Sequence, residues 1–214
     1  MLVTKIYRRI CNYIWQKKRK KINAEYREKM LGCDVPTIFC CNCTGGVMYH
    51  DLGERFLSPT VNLYMPCEDF IKFCENYEYY FSLEMQPYNG NIKRDYPICT
   101  LGDLTLFMVH YSSFEEAKNK WNERKLRIKR NNIRVIATDR DGCTDELKER
   151  FQALPYKKVM FTHEPDIRYK DCFYIQGFEK EEQVGTVVEH EGLVSGLRYY
   201  DQFDWVDFLA KRDF

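Results

Sequence analysis

Two short apolar runs, each stopped by a polar, glycine-bearing loop with a helix start behind it, constrain this chain more than any other feature. Thr37-Ile38-Phe39-Cys40-Cys41 stops at Asn42-Cys43-Thr44-Gly45-Gly46, and Ile133-Arg134-Val135-Ile136-Ala137-Thr138 stops at Asp139-Arg140-Asp141-Gly142. Compact apolar runs of this kind suit strands covered on both faces. A short helix is expected behind the first loop, through Tyr49 and His50 to Gly53. Thr144, Asp145 and Glu146 mark a helix start behind the second. Strand, loop and helix in repeated succession fold as an α/β protein, a mainly parallel sheet with helices on both faces.

The rest of the chain fits that scheme. Val61-Asn62-Leu63-Tyr64-Met65 and Leu104-Thr105-Leu106-Phe107-Met108-Val109 read as further strands, the latter ending at His110. Pro66, Glu68 and Asp69 open a helix whose apolar face is Phe70, Phe73, Cys74 and Tyr77. Gln86–Pro97 is polar and turn-rich, a loop. Ser113 and Glu116 have capping-box spacing, ahead of an inward stripe of Phe114, Ala117, Trp121 and Ile128. Val159–Phe161 and Cys172–Ile175 complete the strands, and Phe203, Val206, Phe208 and Leu209 mark a closing helix. The expected organisation is a basic amphipathic helix over residues 1–33, then one α/β domain over 34–214.

The N-terminal helix carries most of the charge asymmetry. Residues 1–31 hold ten Lys or Arg against two Glu, whereas the remainder holds 23 against 30, so a formal net charge of +1 hides a basic arm before an acidic body. Ile6, Ile10, Tyr13 and Ile14 lie on one helical face. Clustered lysines beside Ile14 and Trp15 suit an anionic membrane surface, and a helix docked on its own acidic body is the alternative. No nucleic-acid-binding module accompanies the charge. The apolar stretch near Ile10–Trp15 is far too short to span a membrane, and no cleavable leader follows it, which predicts a cytoplasmic protein, peripheral at most to the inner membrane. Ten Cys at strand- and helix-like positions then read as reduced, mostly packed thiols.

Ligands of parallel sheets gather beyond the carboxyl ends of the strands, which directs attention to the loops after Cys41, Val109 and Thr138. In the first, Asn42, Thr44, Gly45 and Gly46 can present backbone N–H groups and a helix N-terminus to a phosphate, carboxylate or oxyanion. Cys43 sits there as a candidate nucleophile, or as a packed turn residue. His50, one helical turn past Gly46, and His110 are candidate bases for a Cys/His pair suited to acyl transfer. Asp139 and Asp141 can share a divalent cation or orient an acceptor, Asp141-Gly142 is equally an ordinary turn, and Arg140 can pair with an anionic ligand. Ser58 and Asn62 bring a hydroxyl and an amide near the second expected strand. The Cys40–Cys43 spacing lacks the second ligand pair of a zinc site, and no metal site is expected.

Taken in order, Asn42–Gly46, Tyr49-His50-Asp51-Leu52-Gly53, Phe56 and Ser58-Pro59-Thr60-Val61-Asn62-Leu63 resemble the first signature of a bacterial family of unknown function often labelled exopolysaccharide-biosynthesis protein. Leu101-Gly102-Asp103, His110-Tyr111, Phe114–Ala117 and Trp121 resemble its centre. Thr138–Thr144 and Leu154-Pro155-Tyr156-Lys157 complete a match over about residues 35–210. The resemblance implies an α/β fold and a setting among glycosyltransferases of capsule or lipopolysaccharide assembly, and it carries over no catalytic residues. Cys40 and Cys41 fall outside the family's pattern. The expected function is a transferase acting on a polysaccharide precursor, with a nucleotide-sugar or acyl-CoA donor. The alternative is a non-catalytic, membrane-peripheral partner of the same machinery, held at the membrane through residues 1–31.

Overall fold

The computed structural model describes residues 2–192 and 194–210, with side chains from residue 11 onward. The expectations for the side chains of Lys5, Ile6, Arg8, Arg9 and Ile10 lie outside the described residues. The chain opens with helix α1 (Leu2–Lys29), followed by β1 (Thr37–Cys40) and α2 (Thr44–Leu52). Two helices, α3 (Cys67–Glu75) and α4 (Tyr77–Ser82), come next. After them stand three short strands, β2 (Gln86–Pro87), β3 (Ile98–Leu101) and β4 (Leu104–Phe107). The second half runs α5 (Phe114–Lys125), β5 (Ile133–Thr138), α6 (Asp145–Ala153), β6 (Lys157–Thr162), β7 (Cys172–Tyr174) and α7 (Trp205–Ala210).

A four-stranded sheet in the order β1-β5-β6-β7 is parallel throughout, with Cys40 beside Ile136 and Thr138 beside Phe161. Side-chain alternation splits the interior into two cores. Phe39, Val135, Ala137 and Met160 join the core with α3, α4, α5 and α6, whereas Ile38, Cys40, Ile136 and Phe161 face the side of α2 and α7. The α/β architecture with covered faces is therefore present, and the strand boundaries of β5 are those the sequence predicts.

The strand expected at 61–65 does not form. Asn62 lies at φ 62°, a left-handed conformation that breaks a ladder, and Tyr64 makes only an isolated antiparallel bridge to Phe107. The run 104–109 is a strand only to Phe107, and it belongs to a separate antiparallel sheet, β2-β3-β4, not to the parallel one. Gly102, at φ 62°, makes the two-residue turn from β3 to β4 possible. The predicted helix from Pro66 is broken at Asn76 into α3 and α4.

β1 is an edge strand, and its outward amides are covered by side chains. Ile38 N–H donates to Tyr49 Oη at 2.8 Å, and Cys40 N–H donates to Thr60 Oγ1 at 3.0 Å. Ser58 Oγ in turn lies 3.0 Å from Thr60 Oγ1. Gly45 is needed because α2 crosses β1 closely: a Cβ there would stand 3.0 Å from Cys40 Cβ and 3.1 Å from Ile38 Cγ2.

Helix α1 is docked. Its buried Arg19 donates to Asp51 Oδ2 from Nε at 3.1 Å and from Nη2 at 2.5 Å, to Tyr200 Oη at 2.6 Å, and to Asp201. Asn23 Nδ2 adds a bond to Asp51 Oδ1 at 2.8 Å. On the opposite side of the helix Lys17, Lys20 and Lys21 are exposed, as is Tyr13. Among the described residues no helix is long and apolar enough to cross a membrane.

Candidate functional site

The loops after β1 and β5 meet through Asn42. Its Oδ1 accepts from Thr44 N–H at 3.0 Å and from Thr44 Oγ1 at 2.7 Å, which satisfies the first N–H of α2. Its Nδ2 donates to Thr138 Oγ1 at 3.3 Å, which ties the start of α2 to the end of β5. Two segments nearly a hundred residues apart are thus neighbours at the carboxyl ends of adjacent parallel strands, where ligand sites of such sheets form.

Cys43 follows directly as the N-cap residue of α2. Its Sγ lies 3.1 Å from Nε2 of His110, within reach for a nucleophile and its base. His110 comes from the loop after β4, and the next residue anchors that loop: Tyr111 Oη donates to Val61 C=O at 3.3 Å and accepts from Arg124 Nη1 at 2.5 Å. Burial pushes the Cys43 thiol up, and the neighbouring Cys41 adds to the shift. Desolvation thus favours the thiol, which needs a base before it can act as a nucleophile.

Cys43 and His110 open into a cleft of about 530 Å³, a size ordinary for small-molecule sites. Asn42, Thr44 and Val47 form its floor at α2, and Tyr64 lines it while stacking on Phe107 at 4.7 Å. Arg140 and Asp141 come from the β5 loop, and Gly185–Val188 close the remaining wall. Arg140 makes a long hydrogen bond to Thr186 Oγ1, at 3.4 Å, and brings its guanidinium charge to the rim. Burial raises the Asp141 carboxyl, with Arg140 acting against it.

Several expected site residues stand elsewhere. Asp139 does not line the cleft. Its buried carboxylate accepts from His163 N–H at 2.9 Å and from Val184 N–H at 2.7 Å, and it pairs with His163 Nδ1 at 2.5 Å. Both oxygens are thus engaged, and their use is to hold residues 184–188 across the cleft. No metal-binding cluster of His, Cys, Asp or Glu occurs among the described residues. The side chain of His50 is 80% exposed and lies 3.5 Å from Asp51, which faces α1. Gly45 and Gly46 are buried in the first turn of α2 and serve close packing; a Cβ on Gly46 would stand 3.2 Å from Asn62 Oδ1. Asn62 lies beside Gly46, and Ser58 supports the edge of β1. Cys40 is fully buried on the sheet face opposite α3, and its Sγ contacts Asn42 Oδ1 at 3.6 Å.

Tyr64, Val47, His163 and the 184–188 segment were not legible as site residues. The Asp-x-Asp after a strand suggested that Asp139 shares a cation or orients an acceptor, whereas its carboxylate is bonded to His163 and Val184. The profile of a family described as Domain of unknown function (DUF1919) matches residues 14–210. An uncharacterized protein of Haemophilus influenzae is 38% identical over 205 residues, covering 95% of this chain and 97% of its own.

Proposed function

We propose that this chain, which belongs to the family described as Domain of unknown function (DUF1919), is an acyltransferase of surface-polysaccharide assembly that works through a Cys43 thioester. The observation that carries the reading is the 3.1 Å approach of Cys43 Sγ to His110 Nε2 at the mouth of a ligand-sized cleft. The polysaccharide setting rests on the motif resemblance. The acyl chemistry rests on the pair.

In this mechanism His110 takes the Cys43 proton as sulfur attacks the carbonyl carbon of an acyl thioester such as acyl-CoA. The C–S bond of the donor breaks, and its thiol leaves with the proton from His110. A sugar hydroxyl then gives its proton to His110 and attacks the enzyme thioester, which forms the ester and restores the Cys43 thiol. Arg140 is placed to hold an anionic part of either substrate. Metal-dependent transfer from a nucleotide sugar is disfavoured as the alternative, because Asp139 is committed to His163 and Val184 and is not free to share a cation with Asp141.

Purified protein incubated with acyl-CoA donors and glycan acceptors tests the reading. Transfer should be abolished in Cys43→Ala with the fold retained. Transfer that survives that substitution would end the proposal.

A second arrangement has its own observation: Lys17, Lys20 and Lys21 lie exposed on the side of α1 opposite the docked Arg19. That stripe suits an anionic bilayer, so the same protein is expected to sediment with vesicles containing anionic lipid. Unchanged sedimentation after Lys17, Lys20 and Lys21 are replaced by Gln would remove this arm of the account.

A further inference from the structure

Tyr64 brings a flat apolar surface to the cleft, and the backbone fixes it there. In its bridge to Phe107, Tyr64 N–H donates to Phe107 C=O and Phe107 N–H donates to Tyr64 C=O, both at 2.9 Å. The two rings stack at 4.7 Å with 22° between their planes, and Phe107 is buried. Phe107 therefore covers one face of the Tyr64 ring, and the opposite face is the one left to line the cleft. The residues that follow Tyr64 are tied to both cleft loops. Met65 N–H donates to Cys41 C=O at 2.9 Å, and Cys67 N–H donates to Asp141 C=O at 3.3 Å. The ring thus stands between the loop that carries Cys43 and the turn that carries Asp141.

We propose that Tyr64, Arg140 and Asp141 form the acceptor subsite of this cleft, and that it takes one pyranose residue laid with its C–H face on the Tyr64 ring. The proposal rests on the transfer to a sugar hydroxyl argued above, and it adds which residues select the sugar. The ring electrons of Tyr64 attract the weakly positive C–H groups of a sugar face. At the edge of that face the rim supplies one donor group and one acceptor group. Arg140 spends an Nη1 bond on Thr186 Oγ1 and has further N–H groups to give. Asp141 is fixed by its N–H, which donates to Gln183 Oε1 at 2.9 Å, while its carboxylate accepts no hydrogen bond among the described residues. The two charges are opposite and adjacent in the chain, so an isolated phosphate meets Asp141 as well as Arg140, and an ammonium meets Arg140 as well as Asp141. Neighbouring ring hydroxyls suit both: one donates to the carboxylate and the next accepts from the guanidinium. Arg140 can still reach an anionic substituent of the same ring. A few convergent polar groups around an apolar surface are what orients a ligand in such a cleft.

Saturation-transfer difference NMR on the full chain tests the subsite with no acyl donor present, so the outcome does not depend on Cys43 chemistry. The probes are the methyl pyranosides of glucose, galactose and N-acetylglucosamine, with AMP as a nucleobase that could stack on the same ring. At least one pyranoside should take up saturation, most strongly at the C–H groups of one ring face. Tyr64→Ala should weaken that signal about fivefold or more, and Tyr64→Phe should keep it. Asp141→Asn should weaken it too, and its amide tolerates the left-handed φ of 59°, so this variant keeps the turn even if Tyr64→Ala fails to fold. No saturation of any pyranoside would overturn the proposal. So would a pyranoside signal unchanged by Tyr64→Ala and Asp141→Asn, or Tyr64-dependent binding of AMP alone. Sugar binding that depends on Tyr64 in a protein that transfers no acyl group would uphold the subsite and count only against the Cys43 thioester.

Discussion

Replacing Arg19 with Met should unfold this protein at markedly lower temperature, because the side chain neutralises two carboxylates that are themselves out of water. Asp51 and Asp201 have side chains only 1% exposed, and Arg19 reaches both. An exposed ion pair contributes about 0–1 kcal/mol. Removing one partner from a buried set instead leaves an uncompensated charge and costs about 3–5 kcal/mol. For a chain of this size that corresponds to a fall in Tm of about 6–20 °C. Urea unfolding followed by circular dichroism measures it directly. The pH dependence gives an internal control. Burial alone would raise the Asp51 carboxyl, but hydrogen bonds from Arg19, Tyr200 and Asn23 outweigh it and hold it below its ordinary value. Its contribution to stability is therefore complete above the ordinary carboxylate range and is lost as pH falls through the depressed value. The deficit of Arg19→Met should shrink below about pH 4, and the double variant with Asp51→Asn should lose less than the two single losses added together. A deficit under about 1 kcal/mol at neutral pH would refute the reasoning and make α1 a solvated arm on an independent body.

Three further outcomes follow from the same geometry. Alkylation of Cys43 by iodoacetamide should keep accelerating with pH beyond the ordinary thiol range near about 8.5, since burial raises its thiol; a plateau below that pH would contradict the shift. Asp139→Ala strands the amides of His163 and Val184, so it should cost about 2–4 kcal/mol and raise hydrogen exchange across residues 184–188, whereas Asp141→Ala should do neither. Gly45→Ala should cost about 1–3 kcal/mol by driving α2 off β1, checked as a lowered urea midpoint with unchanged slope.

What could be read from the sequence divides along physical lines. β5 was legible to the residue because all six of its side chains are buried and a polar turn ends it. The caps at Ser113 and Thr144 were legible because capping is local: each side chain accepts from an N–H three residues on. The capping box was only half right, since Glu116 reaches Ser112 rather than Ser113. Val61–Met65 misled because Val61, Leu63 and Met65 alternate into the core, as in a strand, while the backbone conformation of Asn62 prevents a ladder. β3 was missed although Leu101-Gly102-Asp103-Leu104 is a two-residue hairpin signal. In the site, Cys43 and Asp141 could be found from the strand-end rule. The wall at 185–188 could not, because the short irregular segment Gly185-Thr186-Val187-Val188 is held there by long-range contacts: Asp139 bonds to residues 24 and 45 positions away, and Val184 and Val187 pack into the core.

The central claim is that Cys43 is a nucleophile served by His110. Rapid-quench mass spectrometry of the protein mixed with an acyl-CoA donor that supports transfer measures it. The account predicts an acyl adduct on Cys43, formed about 10²–10⁴ times more slowly in His110→Ala. An adduct at another residue, or one formed equally fast without the His110 imidazole, would contradict it.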